Sequence, residues 1–284
     1  IGPALSWEDR RNSDICDALA AKGVDALVRE RTGIHLDPYF SATKFRWLID
    51  NVAEIKSALD KGTLRLGGTE TYVIDRLTGG EVHATDSGTA SRTALFNLRN
   101  MIWDNDLLQA LDLHEQTLPE IRPSCGDFGL ASHPDFGGVK IAITADVVDA
   151  HAALFSQGCQ DNTVVKATYG TGAFIEVNTG TTPVEPDGKL PVFIAWEIDG
   201  RVDYTVEGGV FSVGSAIDWM VRSGWLSSAK ASSDMAFSVT DSGGVSMVPG
   251  FTGLSAPHWE SNARASITGL GLDTEPGHIA RALL

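Results

Sequence analysis

Cysteine is scarce in this chain, and the three present, Cys16, Cys125 and Cys159, cannot form a framework. They are widely separated, odd in number and without C-x-x-C or paired Cys/His spacing. Disulfide stapling is therefore excluded, and reduced, buried thiols are expected. Cationic charge is also short: 22 Lys+Arg against 37 Asp+Glu gives a net charge of −15. No basic run or aromatic-rich basic stripe offers a surface for phosphate backbones, so nucleic acid is not an expected partner. No apolar run approaches the roughly 20 residues that span a bilayer, and no basic region followed by an apolar stretch opens the chain. A cytoplasmic protein without membrane insertion is expected. The seven histidines show no H-x-x-x-H or H-E-x-x-H spacing, which argues against a histidine metal site. Low-complexity tracts and repeats of fixed period are missing too.

What is present is ordinary globular composition, 43% hydrophobic and 21% charged over 284 residues, enough for two domains. Residues 7–26 carry Ile15, Leu19 and Ala20 at helical spacing with Arg10, Arg11 and Asp17 between them, which predicts an amphipathic helix. A second helix is predicted over residues 41–59, with Phe45, Leu48, Ile49, Val52 and Ile55 on one face. Residues 107–111 and 118–121 read as alternating helix and loop, and 139–144 (VKIAIT) as a buried strand followed by a helix over 150–155. Beyond Gly158 a strand-rich stretch follows (164–168, 173–177, 192–196, 202–206), then a helix over 214–222, a short strand over 245–248 and a terminal helix. The domain boundary is expected near Gly158, dividing the chain into 1–158 and 159–284.

Three features bear on chemistry. The turn at 169–174 (YGTGAF) lies between two strand-like runs. Its glycines and threonine could gather N–H and hydroxyl groups around phosphate oxygens, and a bare hairpin turn would use the same residues. Asp149 follows a predicted strand and precedes a helix, where α/β proteins place sites. Either it or Asp146 could instead be the helix cap. Trp47, Trp103 and Trp219 fit apolar faces, whereas Trp7 stands beside Glu8, Asp9, Arg10 and Arg11, which suits contact with the C–H groups of a polyol as well as it suits a core.

Residues 39–51 (YFSATKFRWLIDN) and 269–284 (GLGLDTEPGHIARALL) resemble the two signatures of the FGGY carbohydrate kinases, in the right order. Residues 6–11 (SWEDRR), 37–40 (DPYF), 85–93 (TDSGTASRT), 169–172 (YGTG), 207–211 (EGGVF) and 251–257 (FTGLSAP) are similar to the glycerol kinase branch of that family. The resemblance covers essentially the whole chain. It implies an α/β, actin-like (ribonuclease H-like) two-domain kinase fold, incomplete at both ends, with an N-terminal polyol-binding domain and a C-terminal nucleotide-binding domain. By matched position, Asp149 would be the catalytic base. Trp7, Tyr39 and Phe174 would line the polyol pocket with it, and Thr171, Gly214 and Asp218 would touch nucleotide. ATP and Mg2+ would be the cofactors and a small polyol the substrate, while a homo-oligomer is left open.

Departures from the family pattern shape the expectation. The run usually written Gly-Asp-Gln-Gln is here Val148-Asp149-Ala150-His151, and Asp218 stands where a glutamine is usual. Loss of the first amide weakens recognition of one substrate hydroxyl. Glycerol is therefore the first candidate, with erythritol, dihydroxyacetone or a ketose as alternatives and a non-catalytic sugar- or nucleotide-binding fragment as the rival from another class. The loop 136–140 (FGGVK) lacks the arginine associated with fructose bisphosphate binding, so that inhibition is not expected. The family's N-terminal phosphate hairpin, whose aspartate helps hold Mg2+, would precede Ile1, and none of the chain's own residues is expected to ligate metal.

Overall fold

The computed structural model describes residues 2–184 and 189–284. The chain opens in turns and not in the expected helix at Trp7; helix α1 spans Ser13–Ala20 and α2 spans Val24–Thr32. Tertiary contacts account for the late start. The buried Asn12 amide donates to Thr43 Oγ1 (2.7 Å) and to the Pro38 carbonyl (3.1 Å), and Lys44 Nζ donates to the Asp9 carbonyl at 2.5 Å. These bonds hold residues 9–12 in a path that a helix would forbid, and Gly23, at φ +80°, then separates the two helices.

The predicted helix over 41–59 is divided into α3 (Ser41–Asn51) and α4 (Ala53–Asp60) by Val52, a β-branched residue in extended conformation at φ −117°, ψ 108°. Helix α5 (Thr69–Leu77) leads to strand β1 (Ala84–Asp86) and the short helix α6 (Ser87–Ser91). Strands β2 (Phe96–Asn97) and β3 (Ile102–Trp103) form an antiparallel pair before α7 (Asn105–Ala110). Residues 120–122, expected as loop, are strand β4 (Glu120–Arg122), paired in parallel with β1. The buried strand expected over 139–144 shrinks to β6 (Ile141–Ala142), paired only with β5 (Leu130–Ala131). With a two-residue partner the run is left partly open, and Val139 and Ile141 are exposed.

Helix α8 (Asp149–Ser156) forms as the sequence predicts, and so does the strand-rich region: β7 (Val165–Tyr169), β8 (Ala173–Gly180), β9 (Val192–Ile198) and β10 (Arg201–Val210) make one sheet in the order β7-β8-β10-β9. Helices α9 (Gly214–Arg222) and α10 (Ala231–Phe237), the antiparallel pair β11 (Ser246–Val248) and β12 (Ser266–Thr268), and α11 (Pro276–Leu283) complete the chain. Two compact units emerge. The first comprises Ile1–Lys166 and Glu176–Glu207, the second Ala167–Ile175 and Gly208–Leu284. The division thus passes through β7, β8 and β10, where the sequence suggests a single crossing near Gly158. The first unit buries Leu95, Phe96, Phe128, Leu154, Phe193 and Ile194, each such side chain contributing roughly 1.5–3 kcal/mol. The second packs Met220, Leu226, Ala236, Val245, Ile279 and Ala280 together. Cys16 and Cys159 are buried free thiols, whereas Cys125 is exposed, against expectation. Among the described residues no helix is long and apolar enough to cross a membrane.

A polar knot in the first unit fixes the approach to α8. Asp86 caps α6 by accepting from the Gly88 and Thr89 N–H groups, and its Oδ2 also accepts from Ser124 Oγ at 2.6 Å. Ser124 Oγ in turn accepts from the Glu197 N–H of β9 (3.1 Å), and Asp146 Oδ2 accepts from the Asp86 N–H (3.1 Å). Burial, then the neighbouring Asp86 and Glu70 carboxylates, push the Asp146 carboxyl up to about 7. A carboxyl so raised holds its proton more tightly folded than unfolded, so its contribution to stability falls as pH rises from about 4 to about 7 and is fully lost above that window. Asp146→Asn, whose amide oxygen can accept the same bond, is expected to melt higher than the parent at pH 8, with a gain on the order of 1–2 kcal/mol, and the gap should close by pH 4.5 in a calorimetric pH series. At the end of the same sheet Lys166 Nζ donates to Glu176 Oε2 at 2.7 Å, and both side chains are essentially inaccessible. Lys166→Met strands a buried carboxylate and should cost about 3–5 kcal/mol in chemical denaturation, most of it recovered in Lys166→Met/Glu176→Leu.

Candidate functional site

The first unit brings together three of the residues singled out in the sequence. Asp149 is the first residue of α8 and is exposed; the cap position belongs to Val148, which supplies no side-chain bond. Asp146 is engaged with the Asp86 N–H, so neither aspartate caps this helix. Asp149 Oδ1 accepts from the Ala150 N–H at 2.7 Å, leaving carboxylate oxygen available to solvent at the helix N-terminus. The half-buried Trp7 meets Tyr39 edge to face, with ring centroids 5.6 Å apart and planes at 63°. Tyr39 is set by the 37–40 turn, where the Asp37 carboxylate accepts the Tyr39 N–H at 2.8 Å and pairs with Arg10 at 3.4 Å. Burial, opposed by Arg92, pushes the Tyr39 hydroxyl up, and the Asp149 carboxylate lies near enough to add to that push. An exposed carboxylate beside a paired aromatic wall can take a proton from an alcohol whose carbon side rests on the rings.

The residue that organises this wall, Arg92, is one that no local pattern in the sequence singles out. Arg92 follows α6, and its Nη2 donates to the Tyr39 hydroxyl (3.1 Å) and to both oxygens of Glu207 (3.2 and 3.1 Å). Its guanidinium lies 4.1 Å from the Phe193 ring centroid, and Nη1 is 3.5 Å from His151 Nε2. Burial works against the Arg92 charge, but Glu207 and Tyr39 outweigh it and its pKa is raised. The signal available in the sequence was the placement of Arg92 and Glu207 inside two of the family-like segments, 85–93 and 207–211.

The second unit holds Thr171, Gly214 and Asp218 together, and Phe174 beside them on β8. Residues 170–172 form the β7–β8 turn, which docks on the start of α9. The Val213 and Ser215 N–H groups donate to the Thr171 carbonyl (2.9 and 3.2 Å), and the Gly214 N–H donates to the Gly170 carbonyl at 3.0 Å. Glycine is required on both sides of this contact. A Cβ on Gly214 would collide with the Gly170 carbonyl oxygen, and one on Gly172 would stand 2.7 Å from the Val210 carbonyl oxygen. The N–H groups opening α9 are thus occupied by loop carbonyls. Thr171 is exposed, Gly172 is buried, and the Gly170 N–H donates to the Gly172 carbonyl at 2.8 Å. Asp218 is exposed one turn beyond Gly214 on α9, where a carboxylate accepts hydrogen bonds and repels phosphate. The Phe174 ring packs on Gly209, where a Cβ would come within 2.8 Å of it. Among the described residues no group of three His, Cys, Asp or Glu side chains is placed to hold a metal ion.

Comparison with known proteins gives this geometry a context. Residues 1–156 match the N-terminal domain and residues 165–284 the C-terminal domain of the FGGY family of carbohydrate kinases. Over all 284 residues the chain is 44% identical to a glycerol kinase of Thermus brockianus, and over 283 residues 44% identical to one of Halorhodospira halophila; it spans about 57% and 56% of their lengths. Among solved structures, the Plasmodium falciparum glycerol kinase determined with ADP superposes with a TM-score of 0.84 at 35% identity, covering 100% of this chain and 56% of that one. A ligand-bound xylulose kinase from Lactobacillus acidophilus, 23% identical, shares the fold with a TM-score of 0.82 over 100% of this chain and 57% of its own. The fold is the α/β, actin-like two-domain fold of these kinases, of which the chain spans somewhat more than half. With both domain models matched along its length, the chain belongs to the FGGY family of carbohydrate kinases.

Proposed function

We propose that the protein, at the length of its relatives, transfers the γ-phosphoryl group of ATP to a hydroxyl of a small polyol, glycerol first, giving glycerol 3-phosphate and ADP. The observation that carries this reading is the exposed Asp149 carboxylate on the first turn of α8, within electrostatic range of Tyr39, which is itself packed on Trp7. The glycerol kinases at 44% identity support the choice of substrate, and the structure determined with ADP supports the nucleotide. In the reaction the alcohol oxygen forms a bond to the γ-phosphorus, the bond from that phosphorus to the β,γ-bridging oxygen breaks with its electrons going to ADP, and the hydroxyl proton passes to Asp149. Trp7, Tyr39 and Phe174 would hold the carbon side of the polyol, and Thr171, Gly214 and Asp218 would meet the nucleotide.

Mg2+ would arrive on the ATP phosphates, whose charge it neutralises, and the described residues supply it no dedicated ligand set. Such a kinase acts where ATP is made available, which favours the cytoplasm, and we place the domain boundary near Gly158, dividing 1–158 from 159–284, a reading supported by family matches that end at residue 156 and resume at 165. Ala150 offers no side-chain hydrogen bond, so a polyol or ketose that needs one contact fewer, dihydroxyacetone above all, belongs in any substrate panel.

Two outcomes test the reading in an ADP-release assay over glycerol, erythritol, dihydroxyacetone and common pentuloses. Asp149→Asn should keep its melting temperature and lose a factor of about 10²–10⁴ in kcat; unchanged turnover would remove Asp149 from the role of base. Asp218→Gln takes away a negative charge one helical turn from Gly214 and should lower the KM for ATP by about 2–10-fold through relieved repulsion of phosphate, with the KM for polyol unmoved. Nucleotide or polyol affinity in calorimetry without turnover on any substrate would instead identify a binding protein.

A further inference from the structure

We infer that Arg92 is a positioning residue that ties the polyol wall to the helix carrying the base, with His151 as its acceptor on that helix. The inference rests on the function proposed above and concerns residues for which no role in it has been assigned. Four facts converge on it. Arg92 donates from one nitrogen to Tyr39 and Glu207, and its other terminal nitrogen is 3.5 Å from His151 Nε2. Arginine can only donate, so a hydrogen bond across this contact uses the neutral ring with Nε2 as acceptor and its proton on Nδ1, a buried atom that has no hydrogen-bond partner among the described residues. His151 is completely buried, and burial together with Arg92 and Lys166 holds it well below the usual histidine range, which keeps it in that neutral form. It sits two residues after Asp149 in the first turn of α8, so one guanidinium braces both the ring that would touch substrate and the turn that would take its proton.

The surroundings fix Arg92 itself. Ser91 Oγ accepts the Ile194 N–H at 3.1 Å, which locks the end of α6 against β9 and lays the guanidinium on Phe193. Phe193 also lies 6.4 Å from the His151 ring, so the aromatic face supports both members of the pair. Glu207 supplies the counter-charge. Its carboxyl is pushed up by burial, pulled down by Arg92 and pushed up again by Glu176, which is held by Lys166. A planar fork of donors is needed to serve Tyr39, Glu207 and His151 in different directions; a lysine ammonium concentrates its donors at one point.

The test uses the protein at its relatives' length, with ATP and glycerol, and compares Arg92→Lys, His151→Leu and His151→Gln. Arg92→Lys should lose 10–100-fold in kcat and raise the KM for glycerol at least fivefold, with the KM for ATP within twofold of the parent. His151→Leu should lose tenfold or more in kcat. His151→Gln, whose amide oxygen can accept from the same guanidinium, should stay within threefold. A folded Arg92→Lys with parental kcat and glycerol KM would overturn the inference. So would equal losses in His151→Gln and His151→Leu, a comparison that decides the matter even where Arg92→Lys does not fold. If the parent turns over glycerol and the variants behave in either of those ways, only the positioning role fails; if the parent phosphorylates no polyol, the functional reading fails and takes this inference with it.

Discussion

A charge removed from water must be met by an opposite charge and by hydrogen bonds that use its remaining donors, and the interior of the first unit is arranged around that requirement. Arg92 and Glu207 form one compensated pair, and Lys166 and Glu176 a second one beside it. Meeting the first pair draws in the 37–40 turn through Tyr39, β9 through Phe193, the end of β10 through Glu207 and the first turn of α8 through His151. These segments are far apart in the chain, up to 115 residues between Arg92 and Glu207. Hydrophobic burial alone would tolerate several arrangements of them; a forked donor with directional partners does not.

The second unit meets a different constraint, one of distance. The 170–172 turn and the start of α9 approach so closely that backbone carbonyls occupy the space where side chains would stand, and only glycine fits at 172 and 214. That approach uses up the helix-terminal N–H groups on the Thr171 and Gly170 carbonyls, and Thr171 itself stays exposed, as does Asp218 one helical turn beyond Gly214. The glycine motif is thus explained by packing between loop and helix before any ligand is considered.

Much of the secondary structure was legible in residue patterns. Helix α8, the four strands of the central sheet, α9 and the terminal helix fall where periodicity and turn residues put them. The misreadings share one cause. Residues 7–12 carry helical spacing but are held in turns by Asn12 and Lys44, whose partners at Pro38, Thr43 and Asp9 are invisible to local pattern. The run at 139–144 has the composition of a buried strand, yet its ladder partner among the described residues is two residues long, so Val139 and Ile141 stay exposed while Ile143 packs against Ile74, Ala84 and Phe128. Residues 120–122 look like loop because their strand character comes from pairing with β1, set by α6 and its cap.

By itself the sequence determined the family, the helical and strand character of most segments, and the placement of Asp149, Tyr39, Trp7, Phe174, Thr171, Gly214 and Asp218 at family-like positions, because those depend on local spacing and on motifs read along the chain. Only the tertiary structure decided that Asp146 is bound to Asp86 and leaves Asp149 uncapped and exposed, that the glycine turn is spent on α9, and that Arg92 links Tyr39 to His151. The physical reason is that a charge or hydrogen-bonding group acquires its role from the partners that surround it when buried, and those partners are supplied by segments whose closeness in space has no counterpart in their distance along the chain.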